Sequence, residues 1–300
     1  MDPKNSKNSE PEQQAPPRSI QIGIQAGIQT LFNPAIHKRI PSAAQVEAMC
    51  GKRRKNNIVA LCAMPKSGST FLANVLKQTL QKRYIPLCFA YSSNEHDLYL
   101  PAMLAAQSIG AVSQLHIKGT PHNVALFNAF GTTPVILVRN IFDALESLAR
   151  DLRAKEQISY YGTGFIGYSF LWLSRDIKTL KQEELYDYVI DYALPWYINF
   201  YASWSELEKM KVVSPIWIQY EELMAEKRQV IENLLRRLGY DDSEIVGLEK
   251  QYIQNKKGIG AGSGQSGLGR ERFSASQIDR IISKFRYYPK IDFRKIGIEK

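Results

Sequence analysis

Cysteine is scarce in this chain, and a long apolar run is missing. The three cysteines among 300 residues, Cys50, Cys62 and Cys88, lack the spacing of metal ligands. An odd set of this kind is typical of reduced, mostly buried thiols and favours a cytoplasmic protein. The one candidate membrane segment, residues 158–174, is too short for a span and contains several glycines and tyrosines. We therefore expect no transmembrane segment and interpret 158–174 as a mobile aromatic loop and helix near a site, or as an ordinary packed helix.

The N-terminal residues lack an apolar stretch as well. Residues 1–19 are rich in Pro, Gln, Asn, Ser and charge, which predicts a disordered tail rather than a signal peptide. Residues 20–300 show no internal repeat and no clear boundary, so we expect a single domain there. With 44% apolar and 23% charged residues, the chain can bury a core. Its net charge of +10 favours an anionic partner such as a nucleotide, nucleic acid, an acidic polysaccharide or a membrane surface.

Short apolar runs alternate with helical patterns along the rest of the chain. The runs at 58–64, 112–118, 134–138 and 215–223 predict strands. Helical spacing follows at 71–80, at 141–152 and before Gly239, and a capping-box pattern at 274–277 predicts the start of a last helix. This alternation predicts an α/β fold, a central parallel sheet flanked by helices in a three-layer architecture like that of P-loop NTPases.

The turn after the first predicted strand has the composition of an anion site. In "MPKSGSTFL", 64–72, a lysine, a glycine and three hydroxyl residues lie where the strand gives way to a helix. Helix N-terminal N–H groups bind anions, and Lys66 adds a mobile positive charge. The nucleoside-triphosphatase loop needs its Lys after the last Gly, whereas Lys66 precedes Gly68 and no Gly lies upstream where the pattern requires one. No strand ends in an obvious magnesium-binding Asp.

A second strand-to-helix junction carries an arginine. Arg139 follows the strand at 134–138, and Ser147 lies eight positions later, about two turns into the next helix. Ligands of open α/β sheets gather beyond the carboxyl ends of the strands, and the planar guanidinium suits a phosphate. Two such junctions predict one ligand with two separated anionic groups. The alternative is an arginine that caps a neighbouring helix.

Four segments resemble the sulfotransferases that use 3′-phosphoadenosine 5′-phosphosulfate (PAPS). "PKSGSTFL" is similar to the family's 5′-phosphosulfate loop, and "VILVRNIFDALESL" to its 3′-phosphate motif. "IQYEELMAEKRQVIENLLRRLGY" and "GLGRERFS" resemble two later family segments, so the resemblance spans roughly 58–285. It implies that the 3′-phosphate is bound by Arg139 and Ser147, and that Tyr197 lies near the adenine. The residues that would hold the 5′ end of PAPS are Lys66, Ser67, Gly68, Ser69, Thr70 and Phe71.

The late segment departs from the family pattern. The family has R-K-G before this element, with a basic pair on the 3′-phosphate, whereas this chain has Gly262, Ser263 and Gly264. Backbone N–H groups of the glycine-rich stretch 258–269 are one substitute for that pair. Charge from Lys256, Lys257 or Arg270 is another.

The resemblance also implies a histidine base between the two phosphate motifs. His116 keeps close to the family's distance from Arg139, and His122 lies in the loop that follows. His37 and His96 lie away from both motifs. We favour His116, because on a strand it would face the same side as Lys118.

The predicted function is sulfuryl transfer from PAPS to a hydroxyl or amine of a small-molecule, lipid or carbohydrate acceptor, not nucleic acid. Lys66 would stabilise the leaving oxygen and His116 would take the acceptor's proton. No metal is needed in this scheme. The alternatives are a P-loop kinase or NTPase, and a basic nucleotide- or polyanion-binding protein without turnover.

Overall fold

A parallel sheet forms the centre of the computed structural model, which describes residues 40–52, 54–88, 97–154, 179–245 and 267–299. In these residues the sheet has five strands in the order β2-β3-β1-β4-β5, and all neighbours are parallel. The strands are β1 (Ile58–Ala63), β2 (Arg83–Tyr84), β3 (Ala111–Leu115), β4 (Val135–Val138) and β5 (Ile216–Gln219). The predicted α/β architecture is confirmed.

Helices connect the strands and cover the sheet. Those of the described residues are α1 (Ala43–Cys50), α2 (Ser69–Thr79), α3 (Leu100–Ile109), α4 (Pro121–Ala129), α5 (Ile141–Ala154), α6 (Gln182–Tyr188), α7 (Leu194–Lys209), α8 (Tyr220–Ala225), α9 (Lys227–Arg237) and α10 (Ala275–Phe285). A π-helical turn, Val189–Ala193, joins α6 to α7, and short 3-10 turns span Arg270–Arg272 and Arg294–Ile296. The described residues from Pro41 onward form one compact unit.

Strand β1 is buried on both faces because helices lie on both sides of the sheet. All six of its residues are inaccessible to solvent. Val59, Leu61 and Ala63 pack in one cluster with the apolar faces of α2 and α9. Their neighbours in sequence point to the opposite face, as strand geometry requires. The nearly continuous apolar composition of 58–64 follows from this double burial.

Two predicted strands end earlier than expected. The run at 112–118 forms a strand only as far as Leu115, because its partner β1 ends at Ala63 and the ladder stops at the pair Cys62 and Leu115. The run at 215–223 turns into helix α8 at Tyr220. Glu221 and Glu222 lie in the first turn of that helix, where negative charge is favourable.

Helix ends follow the predicted signals. After α9 the N–H of Tyr240 donates a hydrogen bond to the carbonyl of Leu235, and Gly239 adopts a φ of +84°. Together these two features form a Schellman motif. The capping box at Ser274 and Gln277 is present at the start of α10. All three cysteines are free and buried. Among the described residues no helix is long and apolar enough to cross a membrane. The predicted tail 1–19, the start of the domain at 20 and the segment 158–174 lie outside the described residues.

Candidate active site

The loops that follow β1, β3 and β4 come together at the carboxyl edge of the sheet. Strand β3 lies on one side of β1 and strand β4 on the other, so the strand order reverses its direction at β1. Helix α7 supports two of these loops: Trp204 donates to the Ile117 carbonyl at 3.2 Å, and Tyr197 donates to the Pro65 carbonyl at 3.1 Å. Such a reversal point is where open α/β sheets bind their ligands.

The loop after β1 is tightly folded before α2 begins. Ser67 is fully buried, and its hydroxyl donates to the Met64 carbonyl at 2.6 Å. Lys66 has a φ of +66°, and Gly68 one of +82°. A Cβ on Gly68 would lie 2.8 Å from the ring of Tyr220, so a side chain there is excluded by contact as well as by conformation. Helix α2 starts at the next residue, and its first N–H groups have no acceptor within the helix.

Arg139 joins the end of β4 to this loop. Its Nη1 donates to the Lys66 carbonyl at 3.0 Å, and its guanidinium lies 4.2 Å from the ring centroid of Tyr220. Only 8% of the residue is exposed, and within the described residues its Nε has no hydrogen-bond partner. A buried donor without an acceptor is costly and calls for an explanation, which a bound anion would supply. The two junctions singled out in the sequence are therefore in direct contact.

One face of α5 is directed at the loop. Asp143, Ser147 and Asp151 are spaced by four residues and share that face. The Asp151 carboxylate forms an ion pair with the Lys66 ammonium, at a distance of 3.0 Å. Ser147, with 9% of its surface exposed, lies between the two carboxylates. The shared role of Arg139 and Ser147 at a phosphate stays a prediction.

Asp143 anchors the end of the glycine-rich stretch. Its two carboxylate oxygens accept hydrogen bonds from the N–H groups of Gly267 and Gly269, at 2.8 and 2.7 Å. A Cβ on Gly269 would lie 2.5 Å from the Asp143 backbone, so only glycine fits. These two N–H groups are consequently occupied, which removes them from the expected backbone cradle for a 3′-phosphate. Arg270 follows in a 3-10 turn, with its guanidinium 5.2 Å from the Phe142 ring centroid.

Several residues considered in the sequence lie outside the described residues. In the late segment these are Lys256, Lys257, Gly262, Ser263 and Gly264. The histidines His37 and His96 lie outside them as well.

His116 lies one residue beyond the end of β3, so the prediction that the strand continues through His116 to Lys118 is wrong. Its Nδ1 is 2.7 Å from the Ala63 carbonyl, the last residue of β1. A carbonyl oxygen only accepts, so Nδ1 carries the proton in this contact, and in the neutral imidazole Nε2 then has the lone pair. The amide nitrogen of Gln114 lies 3.5 Å from Nε2.

The other candidates near this loop have different neighbours. The Lys118 ammonium lies 5.9 Å from the Trp196 ring centroid. His122 is exposed on the first turn of α4, and its Nε2 is 3.0 Å from the Leu98 carbonyl. Of the two histidines, only His116 contacts the strand that leads into the Lys66 loop.

Two residues expected at the ligand are buried below it. Phe71 is 3% exposed and packs in the core, so its backbone N–H alone faces the loop. Tyr197 is fully buried, and burial raises the pKa of its phenol, which lies near the charges of both Asp151 and Arg139. Tyr197 thus supports the loop from beneath, and a contact between its ring and adenine stays a prediction.

Three side chains at this site carry no sequence signal of their own. Asp143 and Asp151 resemble ordinary charges of an amphipathic helix, and Tyr220 falls in a run whose pattern predicts a strand. The spacing of the two aspartates is one clue, because both lie on the same helical face as the predicted Ser147. Within the described residues, no group of three or more His, Cys, Asp or Glu side chains is arranged to hold a metal ion.

Comparisons with known proteins do not show the family of this chain. No protein-family model matches the chain, and no curated protein matches it. Among the solved structures that match is mouse sulfotransferase SULT7A1 complexed with PAP. The alignment has 15% sequence identity, covers 83% of this chain and 91% of that chain, and has a TM-score of 0.49. A likeness at this level is too weak to support an argument about activity.

Proposed function

We propose that this chain is a sulfotransferase that moves a sulfuryl group from PAPS to a hydroxyl or amine of a small-molecule, lipid or carbohydrate acceptor. The proposal combines the resemblance of the two phosphate motifs with the way their residues meet in the fold. Its finer parts, namely the donor, the residue roles and the acceptor class, depend on the tests below.

The contact between Arg139 and the Lys66 loop carries the proposal. Arg139 is buried, it holds the carbonyl of the residue that begins the anion loop, and its Nε has no partner among the described residues. An unpartnered guanidinium nitrogen beside helix N-terminal N–H groups is suited to a doubly anionic ligand. A 3′,5′-bisphosphorylated nucleotide has that charge distribution, with one group for the loop and one for the Arg139 and Ser147 side.

His116 has the tautomer that a general base requires. Because its Nδ1–H donates to Ala63, Nε2 can accept the proton of the attacking hydroxyl or amine. As the new bond from the acceptor to sulfur forms, the bond from sulfur to the 5′-phosphate oxygen breaks, and the electron pair stays on that oxygen. Lys66 and the first N–H groups of α2 would stabilise the charge on it.

The surroundings of Ser147 bear on the 3′-phosphate. Asp143 is neutralised in part by two backbone N–H groups. Arg139, which contacts the adjoining loop, would supply the main positive charge to a phosphate at Ser147. Arg270, in the turn next to Gly269, is the described cation that best replaces the family's missing basic pair.

Binding measurements separate this function from its alternatives. Isothermal calorimetry should show binding of 3′-phosphoadenosine 5′-phosphate (PAP) without Mg²⁺, and the Arg139→Ala variant should lose most of that affinity. Equal binding of ATP that depends on Mg²⁺ would indicate a kinase or NTPase. Tight binding of an acidic polysaccharide without PAP binding would indicate a polyanion-binding protein. For a protein that binds PAP, a screen of alcohols, phenols, amines and sugars with PAPS then identifies the acceptor class.

A further inference from the structure

The Lys66 ammonium forms an ion pair within the protein. It lies 3.0 Å from Asp151, and the two side chains are only 26% and 22% exposed. The backbone of Lys66 is held separately, because its carbonyl accepts a hydrogen bond from Arg139. Lys66 is thus held at two points, by Arg139 just after β4 and by Asp151 on α5. A cation that is to meet a donor anion does not need a carboxylate partner, so this pair requires an explanation.

We propose that Asp151 is a positioning residue that holds Lys66 at the loop and competes with the donor for its ammonium. This inference rests on the proposed function, and it concerns the donor's 5′-phosphate end. Binding of the donor would require Lys66 to exchange Asp151 for the donor oxygen. The Asp151 carboxylate would then stay one helical turn from Ser147, without its contact to Lys66.

The charge of Asp151 works against the donor in two ways. It retains the Lys66 ammonium, and it repels the phosphate groups directly. For unit charges about 6 Å apart at an effective dielectric constant of about 40, such a repulsion corresponds to roughly a tenfold change in Kd. The opposing effect is that the lysine side chain is held in place before the donor arrives, which spares part of its ordering cost.

Removing the charge and removing the side chain should therefore have different consequences. In Asp151→Asn an oxygen acceptor for Lys66 remains but the negative charge is gone, so we expect PAP to bind about tenfold more tightly, with a smaller loss of kcat than in Asp151→Ala. In Asp151→Ala the lysine loses its partner entirely, so we expect similar tightening together with a clearly lower kcat. A merely structural role would lower the melting temperature and weaken PAP binding in both variants.

Glu146 provides a matched control on the same helix. It pairs with Arg150 at 3.2 Å, and its side chain is 20% exposed, close to the 22% of Asp151. Glu146→Gln removes one negative charge from a pair that does not include Lys66. We expect its PAP affinity to stay within about twofold of the wild type, because its pair is local to α5.

The deciding experiment is a double-mutant cycle of Lys66→Met and Asp151→Asn, measured by denaturant unfolding with and without saturating PAP. Without PAP the two substitutions should be coupled, because they remove the same ion pair. With PAP the coupling should largely vanish, since Lys66 has left Asp151. Coupling that persists unchanged in the PAP complex would overturn the exchange while leaving the proposed function intact. A wild-type protein that does not bind PAP would overturn the proposed function, and the exchange with it.

Discussion

Replacement of Arg139 by Ala tests the central contact of the site. The substitution removes the bond from Nη1 to the Lys66 carbonyl, the stacking on Tyr220 and the buried nitrogen Nε that has no partner among the described residues. The free protein loses one charge-assisted hydrogen bond but also one unsatisfied buried donor, so its own stability should change modestly. The PAP complex loses the main positive charge available to a phosphate. We therefore expect a large loss of ligand stabilisation with a small loss of intrinsic stability.

The size of the effect follows from linkage. At a PAP concentration about 100 times the wild-type Kd, binding stabilises the native state by about 2.7 kcal/mol. If Arg139 contributes about 2.7 kcal/mol to binding, within the range of hydrogen bonds to charged groups, the variant's Kd rises about 100-fold. The same PAP concentration then adds only about 0.4 kcal/mol. At roughly 2 °C per kcal/mol for a chain of this size, the shift in melting temperature should fall from about 5 °C to about 1 °C.

Arg54 supplies the matched control. It makes the same two kinds of contact at the opposite edge of the sheet: its guanidinium lies 4.1 Å from the Tyr240 ring centroid, and Nη2 donates to the Gly239 carbonyl at 2.7 Å. It also pairs with Glu244. Arg54→Ala should lower the melting temperature of the free protein yet keep the full PAP shift in a thermal-shift assay. An Arg139→Ala protein that retains the wild-type PAP shift would refute the reasoning.

The remaining predictions address the lysine, the base and one buried amine. Lys66→Ala should lower the turnover number by about 100-fold or more while weakening PAP binding far less, because its charge acts mainly in the transition state; steady-state kinetics beside calorimetry checks this. His116→Ala should lower single-turnover transfer from PAPS by about 100-fold or more with PAP binding kept, and His122→Ala should have the smaller effect; a wild-type rate and pH profile in His116→Ala would exclude it as the base. Burial, and secondarily Arg54, lowers the pKa of Lys82 from 10.5 to about 8. The cost of burying the charged Lys82 is present in full below pH 8 and fades as the pH rises toward 10.5. Between pH 7 and pH 10 the unfolding free energy of the wild type should therefore rise by about 1–2 kcal/mol relative to that of Lys82→Met, a figure already discounted for the partial exposure of the lysine. Urea unfolding of both proteins at the two pH values measures this difference, and an equal pH dependence would contradict it.

Local pattern predicted the parts of the site that depend on neighbours in sequence. The apolar run before Met64 and the small, hydroxyl-bearing residues after it fix a strand, a turn and a helix start. The same holds for Arg139, whose place at the end of a buried strand follows from the four apolar residues before it. Because carboxyl ends of parallel strands lie at one edge, the meeting of these two junctions could also be anticipated.

Contacts between distant segments could not be predicted in this way. Where β3 ends depends on how far its partner β1 extends, so the position of His116 relative to the strand is a property of the pair. Asp151 meets Lys66 only because α5 packs beside the loop; its four-residue spacing from Ser147 indicates the helix face but not the partner. Asp143 likewise gains its role from the backbone of Gly267 and Gly269, a segment far along the chain.

The missing upstream glycine acquires a physical meaning in the fold. Nucleoside-triphosphatase loops use glycine where the backbone must turn, whereas here Lys66 itself adopts a φ of +66°. A non-glycine residue in the left-handed region costs about 1 kcal/mol or more. The bond from Arg139 to the Lys66 carbonyl is charge-assisted and of the size that offsets such a cost, about 1.5–3 kcal/mol. Arg139 therefore stabilises the strained turn that directs the Lys66 side chain toward α5, and the conformation of the loop depends on the same guanidinium that we propose for the phosphate.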